Sequence, residues 1–171
     1  MPEYKLPNDS ELTKCFIKGE TDTEIAQKYG CTRQWINAKR KKLGFGSIRP
    51  FTNQANELIR RVWDVQVLPN SEPGSHHQTG PSQALRVWLR RRLGDTSLSP
   101  KQQAAAAGFE TRIRRDDVVL VYSPDSVKGF YYVPREPSDG RSVIRWPDLG
   151  PGVDRDPEAE KFLTLPEEPN A

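Results

Sequence analysis

Residues 21–44, TDTEIAQKYGCTRQWINAKRKKLG, constrain the fold of this chain more than any other stretch. Thr21 and Glu24 hold the Thr-x-x-Glu spacing of a capping box, in which the hydroxyl takes a first-turn N–H and the carboxylate reaches back. Ile25, Ala26 and Tyr29 supply an inward face, and Gly30 ends the helix in the left-handed conformation that a C-cap requires. Cys31 turns inward, Thr32 caps a further helix, RQWINAKRKKLG, and Gly44 stops it. Helices this short do not fold alone. A preceding helix over about 11–19, capped by Asp9 or Ser10 with Leu12, Phe16 and Ile17 on one side, completes a three-helix unit. A short Gly-containing turn holds two helices at a steep angle, the helix-turn-helix arrangement whose second helix enters the major groove. A helical hairpin that only packs shares the same caps and periodicity.

The third helix separates the two readings. Ile36 and Leu43 face the core and Ala38 is small, while Arg33, Gln34, Asn37, Arg40 and Lys41 lie mainly elsewhere. Arginine suits guanine O6 and N7, and Asn or Gln suits adenine N6 and N7. Lys39, Arg40 and Lys42 suit phosphates, as does Thr32 at the start of the helix. Trp35 either packs on the first helix or lies against a thymine methyl. Residues 39–42 are four adjacent cations that repel one another, and a polyanion removes that conflict.

Charge along the chain agrees. Residues 1–115 hold 20 Lys/Arg against 11 Asp/Glu, whereas residues 116–171 hold 6 against 12. A basic body followed by an acidic end suits nucleic-acid binding, although solvated charge also keeps a polar chain soluble. With 35% hydrophobic residues and a mean hydropathy of −0.77, two small cores are favoured over one large interior. The expected order is a helix-turn-helix unit over 1–44, a linker over 45–53, an α+β domain over 54–147 and an acidic, Pro-rich, loosely ordered tail over 148–171.

In the linker, GFGSIRPFTN, Phe45, Ile48 and Phe51 offer anchors. Arg49 either enters a minor groove or is merely solvated. From Thr52, which can cap, NQANELIRRVWDV is helical, with Glu57–Arg61 and Arg60–Asp64 pairing at i,i+4. Residues 69–81 read as a flexible loop. In SQALRVWLRRRLG, capped by Ser82, Arg86, Arg90 and Arg91 have no acidic neighbour three or four residues away within the helix, which favours phosphate contacts. Arg92 snorkels. Ser99-Pro100 opens a short helix KQQAAAAG, whose Lys101 and Gln102 stand where backbone N–H groups bind phosphate. RIRRDD then leads into three strand-like runs, VVLVY (118–122), GFYYVP (129–134) and SVIRW (142–146). An antiparallel meander packed on the helices is the economical topology.

The layout resembles the immunity repressors of the cluster A mycobacteriophages. The likeness rests on overall length, the 21–44 unit, the GFGSIRPF linker and an Arg-rich C-terminal domain without protease or recombinase residues. It implies a repressor that maintains lysogeny by binding an operator and short asymmetric stoperator sites as a monomer, with two DNA-contacting domains. By that resemblance Arg33, Gln34, Asn37 and Lys41 read bases, and the linker and the arginines around 86–91 add contacts. No heptad run offers a dimerisation surface, and a second DNA-binding domain on one chain raises effective concentration without one.

Rival classes are a DNA-recombination enzyme and a ring-forming small terminase subunit. The first needs a nucleophilic Ser or Tyr among basic residues, or a set of metal-binding carboxylates. Asp116-Asp117 is the one adjacent acidic pair at a strand start, and its members point to opposite faces. No catalytic residue, cofactor or metal is expected. Cys15 and Cys31 read as small buried hydrophobes, and with His76 and His77 they lack zinc-ligand spacing. No apolar run approaches a membrane span and the N-terminus lacks a signal peptide's apolar core, so a cytoplasmic protein is expected.

Overall fold

The computed structural model describes residues 6–46, 49–68 and 74–168. The chain forms two compact units, Met1–Pro50 and Phe51–Ala171. Among the described residues the class is α+β, with seven α-helices and one two-stranded antiparallel sheet. None of those helices is long and apolar enough to cross a membrane.

Unit 1 holds α1 (Asp9–Ile17), α2 (Asp22–Tyr29) and α3 (Arg33–Lys42). Asn8, rather than Asp9 or Ser10, caps α1. Its Oδ1 accepts from the Glu11 N–H at 2.9 Å and Glu11 accepts from the Asn8 N–H at 2.9 Å. The helix starts early because Glu11, three residues on, completes that reciprocal box. In α2 the Glu24 carboxylate accepts from the Thr21 N–H at 2.7 Å, and Gly30 is left-handed at φ 64°. These bonds hold Glu24 below its ordinary carboxylate value, the Thr21 backbone N–H contributing most. Leu12, Cys15, Phe16, Ile25, Ala26 and Ile36 form the buried core. Ile17 is not among them and is 73% exposed. The i, i+3, i+4 stripe of 12, 15 and 16 fills the inward face and leaves position 17 beyond it. Cys31 is half-buried rather than buried.

The expected linker is shorter than 45–53. Phe45 packs 5.2 Å from the Phe16 ring, and α4 (Pro50–Arg60) begins at a proline, which is preorganised for a first helical turn. Ile48 lies outside the described residues.

Unit 2 continues with α5 (Gly80–Arg92), α6 (Pro100–Arg115), β1 (Val118–Tyr122), β2 (Phe130–Pro134) and α7 (Pro157–Leu163). Thr79, not Ser82, precedes α5; Ser82 is buried and donates from Oγ to the His77 carbonyl at 3.0 Å. The supposed flexible loop carries a 3-10 turn at His76–Gln78, fixed by His76 Nδ1 at 3.1 Å from Tyr122 Oη. KQQAAAAG and RIRR are one 16-residue helix, α6, not a short helix followed by an extended basic stretch. Ala106, Phe109 and Ile113 bury its inner face. Helical Gly108 costs about 1 kcal/mol, less than the roughly 1.5–3 kcal/mol gained by burying each large apolar side chain.

β1 pairs with β2 from Val118↔Pro134 to Tyr122↔Phe130. The expected three-stranded meander does not form. Residues 142–146 instead lie on the other edge of β1: the Leu120 N–H donates to Val143 at 2.9 Å and the Arg145 N–H to Leu120 at 3.0 Å. After an antiparallel pair the chain runs again in the direction of β1, so its contact with β1 is parallel. The described part of the expected tail, residues 148–168, is also not loose. In it, α7 buries Ala159 and Leu163 in the main core with Leu85, Trp88, Leu89 and Ile144, and the Val143 N–H donates to the Leu163 carbonyl at 2.8 Å. Its few apolar residues sit at positions the core can use, which composition alone does not reveal.

Asp139 is buried beside β2, accepting from Arg145 Nε at 3.1 Å, Arg145 Nη2 at 2.8 Å and the Glu136 N–H at 2.8 Å. The Arg145 guanidinium, more than offsetting burial, holds its carboxyl below the ordinary value of 3.8. A depressed carboxylate stabilises the fold fully above that ordinary value and loses this contribution as pH falls through the folded one. Asp139→Asn is therefore expected to lose about 1.5–3 kcal/mol at neutral pH, the worth of charged hydrogen bonds. In urea unfolding against pH the gap to the parent should close on acidification; a gap constant down to strong acid would remove the carboxylate from this role.

Candidate nucleic-acid interface

The faces of α3 follow from its 3.6-residue period. Ile36 and Arg40 point inward and are buried. Trp35 packs against the core, and Lys39, one turn on, donates from Nζ to Asp9 Oδ1 at 2.7 Å and sits 5.6 Å from the Trp35 ring. That contact holds the Asp9 carboxyl below its ordinary value, chiefly through the Lys39 hydrogen bond. Trp35 is thus a packing residue, and Lys39 is turned toward α1.

Arg40 was expected on phosphate. It is only 2% exposed: Nε donates to Asp22 Oδ1 at 2.7 Å, Nη2 donates to the Glu20 carbonyl at 3.3 Å, and the guanidinium lies 4.1 Å from the Phe16 ring centroid. Position 40 falls one turn after Ile36 on the same stripe, so its cation needs an internal partner. Asp22 supplies it from the first turn of α2. The other oxygen of Asp22 accepts from Asn37 Nδ2 at 3.1 Å, which fixes the Asn37 amide while that side chain stays half-buried. Asp22 thus joins α2 to two successive turns of α3. Sequence reasoning missed it; the signal available was an acid at a helix start opposite an arginine on an apolar stripe.

The remaining residues of the helix form an open surface. Arg33, Gln34, Ala38, Lys41 and Lys42 are exposed, and none of the four polar ones is bonded to an acidic side chain among the described residues. Thr32 accepts from the Trp35 N–H at 3.2 Å as the expected cap. Beside this surface a cleft of about 410 Å³ runs between the start of α2 and α3, lined by Thr21, Thr23, Arg33, Asn37, Lys41 and Arg49 among others. Arg49 also shares a second depression with Arg33, Gln34 and Asn37. Five of the expected positions, Arg33, Gln34, Asn37, Lys41 and Arg49, therefore sit together in unit 1.

The arginines of α5 are different. Within the helix they have no acid three or four residues away, yet the fold brings partners from beyond it. Arg90 pairs with buried Asp95 at 2.7 Å, and Arg91 pairs with Glu110 of α6 at 2.7 Å. Glu110 also accepts from Trp88 Nε1 at 3.0 Å and from Arg114 at 3.0 Å, and these bonds keep it below its ordinary value despite burial. Arg86 donates to Asn56 Oδ1 and to the His77 carbonyl, both at 2.6 Å. Their reading as unpaired phosphate ligands is corrected: these guanidiniums are used inside unit 2. Gln102 is likewise engaged, accepting from the Ser99 N–H at 3.0 Å in a capping box, while Lys101 is exposed.

In α4, Arg61 pairs with Glu57 at 3.7 Å as expected and also with Glu158 at 2.6 Å. Arg60 pairs with Glu57 at 3.9 Å instead of Asp64. Among the described residues no three His, Cys, Asp or Glu side chains converge as metal ligands. No protein-family model matches this chain, and no curated protein matches it.

Proposed function

We propose that unit 1 is a helix-turn-helix module that binds double-stranded DNA with α3 in the major groove, and that the protein is a transcriptional repressor. One observation carries this reading: the outer face of α3 presents Arg33, Gln34, Lys41 and Lys42 exposed and without acidic partners, next to a cleft edged by Asn37 and Arg49. Other cations that the sequence offered for phosphate are neutralised at close range, as at Arg40, Arg90 and Arg91. Cations left unpaired along one helix are complementary to phosphates, and the polar side chains between them have the reach and donors for base edges.

Within this reading Arg33 and Gln34 contact bases, Asn37 contributes its Oδ1 while its amide N–H₂ is tied to Asp22, and Lys41 and Lys42 hold the strands. Lys39 and Arg40 orient the helix. The likeness to the cluster A mycobacteriophage repressors extends the proposal to lysogeny maintenance through operator and asymmetric stoperator sites, by a monomer acting in the cytoplasm of a bacterial host. It acts without catalysis, cofactor or metal. The test is selection of bound duplexes from a random pool, with light scattering of the protein. A recovered asymmetric motif with a monomer supports the reading; a palindrome with a dimer, or a ring, replaces it with a symmetric regulator or a packaging subunit.

Two substitutions separate the roles on α3. Gln34→Ala is expected to cost about 1–3 kcal/mol at one base pair of the selected site and to relax preference there. Lys42→Ala is expected to weaken all duplexes alike and to reduce the salt slope of log K by about 1. Fluorescence anisotropy titrations over a salt series measure both. Uniform losses for Gln34→Ala, or an unchanged slope for Lys42→Ala, would reverse those assignments.

A further inference from the structure

Arg86 and Arg92 are the α5 arginines without an acidic partner among the described residues; Arg92 donates to the Lys161 and Thr164 carbonyls, and Arg86 lines a cleft. Both bonded partners of Arg86, Asn56 Oδ1 and the His77 carbonyl, are neutral, and no carboxylate among the described residues pairs with it. Burial pulls its guanidinium below the ordinary value, yet arginine keeps its charge in proteins. A partly buried cation without a counter-ion is costly to hold, and a fold that keeps one is poised for an anion. The third nitrogen of Arg86, Nη1, makes no hydrogen bond among the described residues.

This nitrogen belongs to a side chain that lines a cleft of about 190 Å³ with Ile59, Arg60, Val65, Val67 and His77 among others. The lining therefore combines aliphatic side chains with polar and cationic ones. His77 adds a second, independent irregularity: its Nδ1 is buried with no hydrogen-bond partner among the described residues. Burial, followed by the Arg86 charge, lowers the His77 value, which favours the uncharged ring beside the two guanidiniums of Arg86 and Arg60. A concave site with an apolar wall and a few convergent polar groups suits a small ligand. A DNA backbone would meet the guanidinium on a convex surface, without the aliphatic wall.

We propose that this cleft binds a small aliphatic carboxylate, with the carboxylate on Arg86 and the alkyl chain against Ile59, Val65 and Val67. The site lies in unit 2 and does not depend on the DNA reading of unit 1. A planar carboxylate fits the fork of a guanidinium better than a point cation does. The small volume restricts the tail to a few carbons.

The test titrates the full-length protein with pentanoate, pentanol, pentylamine and diethyl phosphate, which vary the head group, following the Val65 and Val67 methyls and the His77 ring by NMR. Pentanoate is expected to shift these signals and to bind about tenfold or more tighter than pentanol or pentylamine, as a charged hydrogen bond requires. Arg86→Gln should remove that preference. Since Arg86 also ties Asn56 to His77, a second variant guards against loss of fold: Val67→Trp, at a residue 62% exposed, should close the mouth and abolish binding in a folded protein. Equal binding of all head groups, shifts confined to other residues, or pentanoate binding unaffected by Val67→Trp would overturn the proposal. So would a preference for diethyl phosphate together with loss of DNA salt dependence in Arg86→Gln, which would assign the residue to the DNA backbone.

Discussion

Replacing Asp22 with alanine is expected to unfold unit 1 while unit 2 stays folded. Asp22 is the only carboxylate that reaches Arg40 among the described residues, and the pair is nearly out of water, with side-chain exposures of 3% for Arg40 and 17% for Asp22. Removing one partner of such a pair leaves an uncompensated buried charge and costs about 3–5 kcal/mol. Asn37 loses its acceptor at the same time. A unit of about 50 residues has a small stability to begin with, so a loss of this size exceeds what it can absorb. Urea unfolding followed by Trp35, the sole tryptophan of unit 1, should show its transition shifted to low denaturant or absent. The DNA binding proposed for unit 1 should vanish with it. Arg40→Met should cost less, since methionine keeps the contact with Phe16 and Asp22 is left with Asn37 and some solvent. A loss for Asp22→Ala of only about 1 kcal/mol, typical of a surface pair, would show that this link does not hold α2 to α3.

The second large effect is expected at the C-terminal end. Leu163 is fully buried, and its backbone carbonyl accepts from Val143. Leu163→Ala should destabilise unit 2 by about 2–5 kcal/mol, the range for emptying a packed leucine site. Ending the chain after Asp156 should do more. It removes Ala159, Leu163 and Leu165 from the core, the Leu165 N–H bond to Arg141 at 2.8 Å, and the 2.6 Å contact of Glu158 with Arg61. A sum of such losses is comparable with the roughly 5–15 kcal/mol that holds a domain together. The shortened chain should lose the cooperative unfolding transition of unit 2 and become sensitive to protease along α5 and α6, while the transition reported by Trp35 persists. A shortened chain that unfolds like the parent would return the segment to the status of an appendage.

These two experiments probe the places where local sequence patterns stop being informative. The capping box at Thr21–Glu24, the Ser99 cap, the Gly30 stop and the strand-like runs at 118–122 and 129–134 were legible because each depends on residues within a few positions of one another. The arginines of α5 were misread for the converse reason. Their helix holds no acid at the three- or four-residue spacing, whereas Arg90 finds its acid five residues on, past the helix end, and Arg91 nineteen. In unit 1, Arg40 looked like part of a basic run and is an internal strut, because Asp22 is eighteen residues back and faces it only once the two helices have packed.

By itself the chain determined where α2 and α3 begin and end, which of their apolar residues turn inward, and that α3 would carry a run of positive charge. Tertiary structure alone decided which of those charges remain available. Opposite charges drawn from distant elements meet at 2.6–2.7 Å in the folded unit, as Arg61 meets Glu158 and Arg40 meets Asp22, and Coulomb attraction over such distances falls off too steeply to be read from spacing along an unfolded chain.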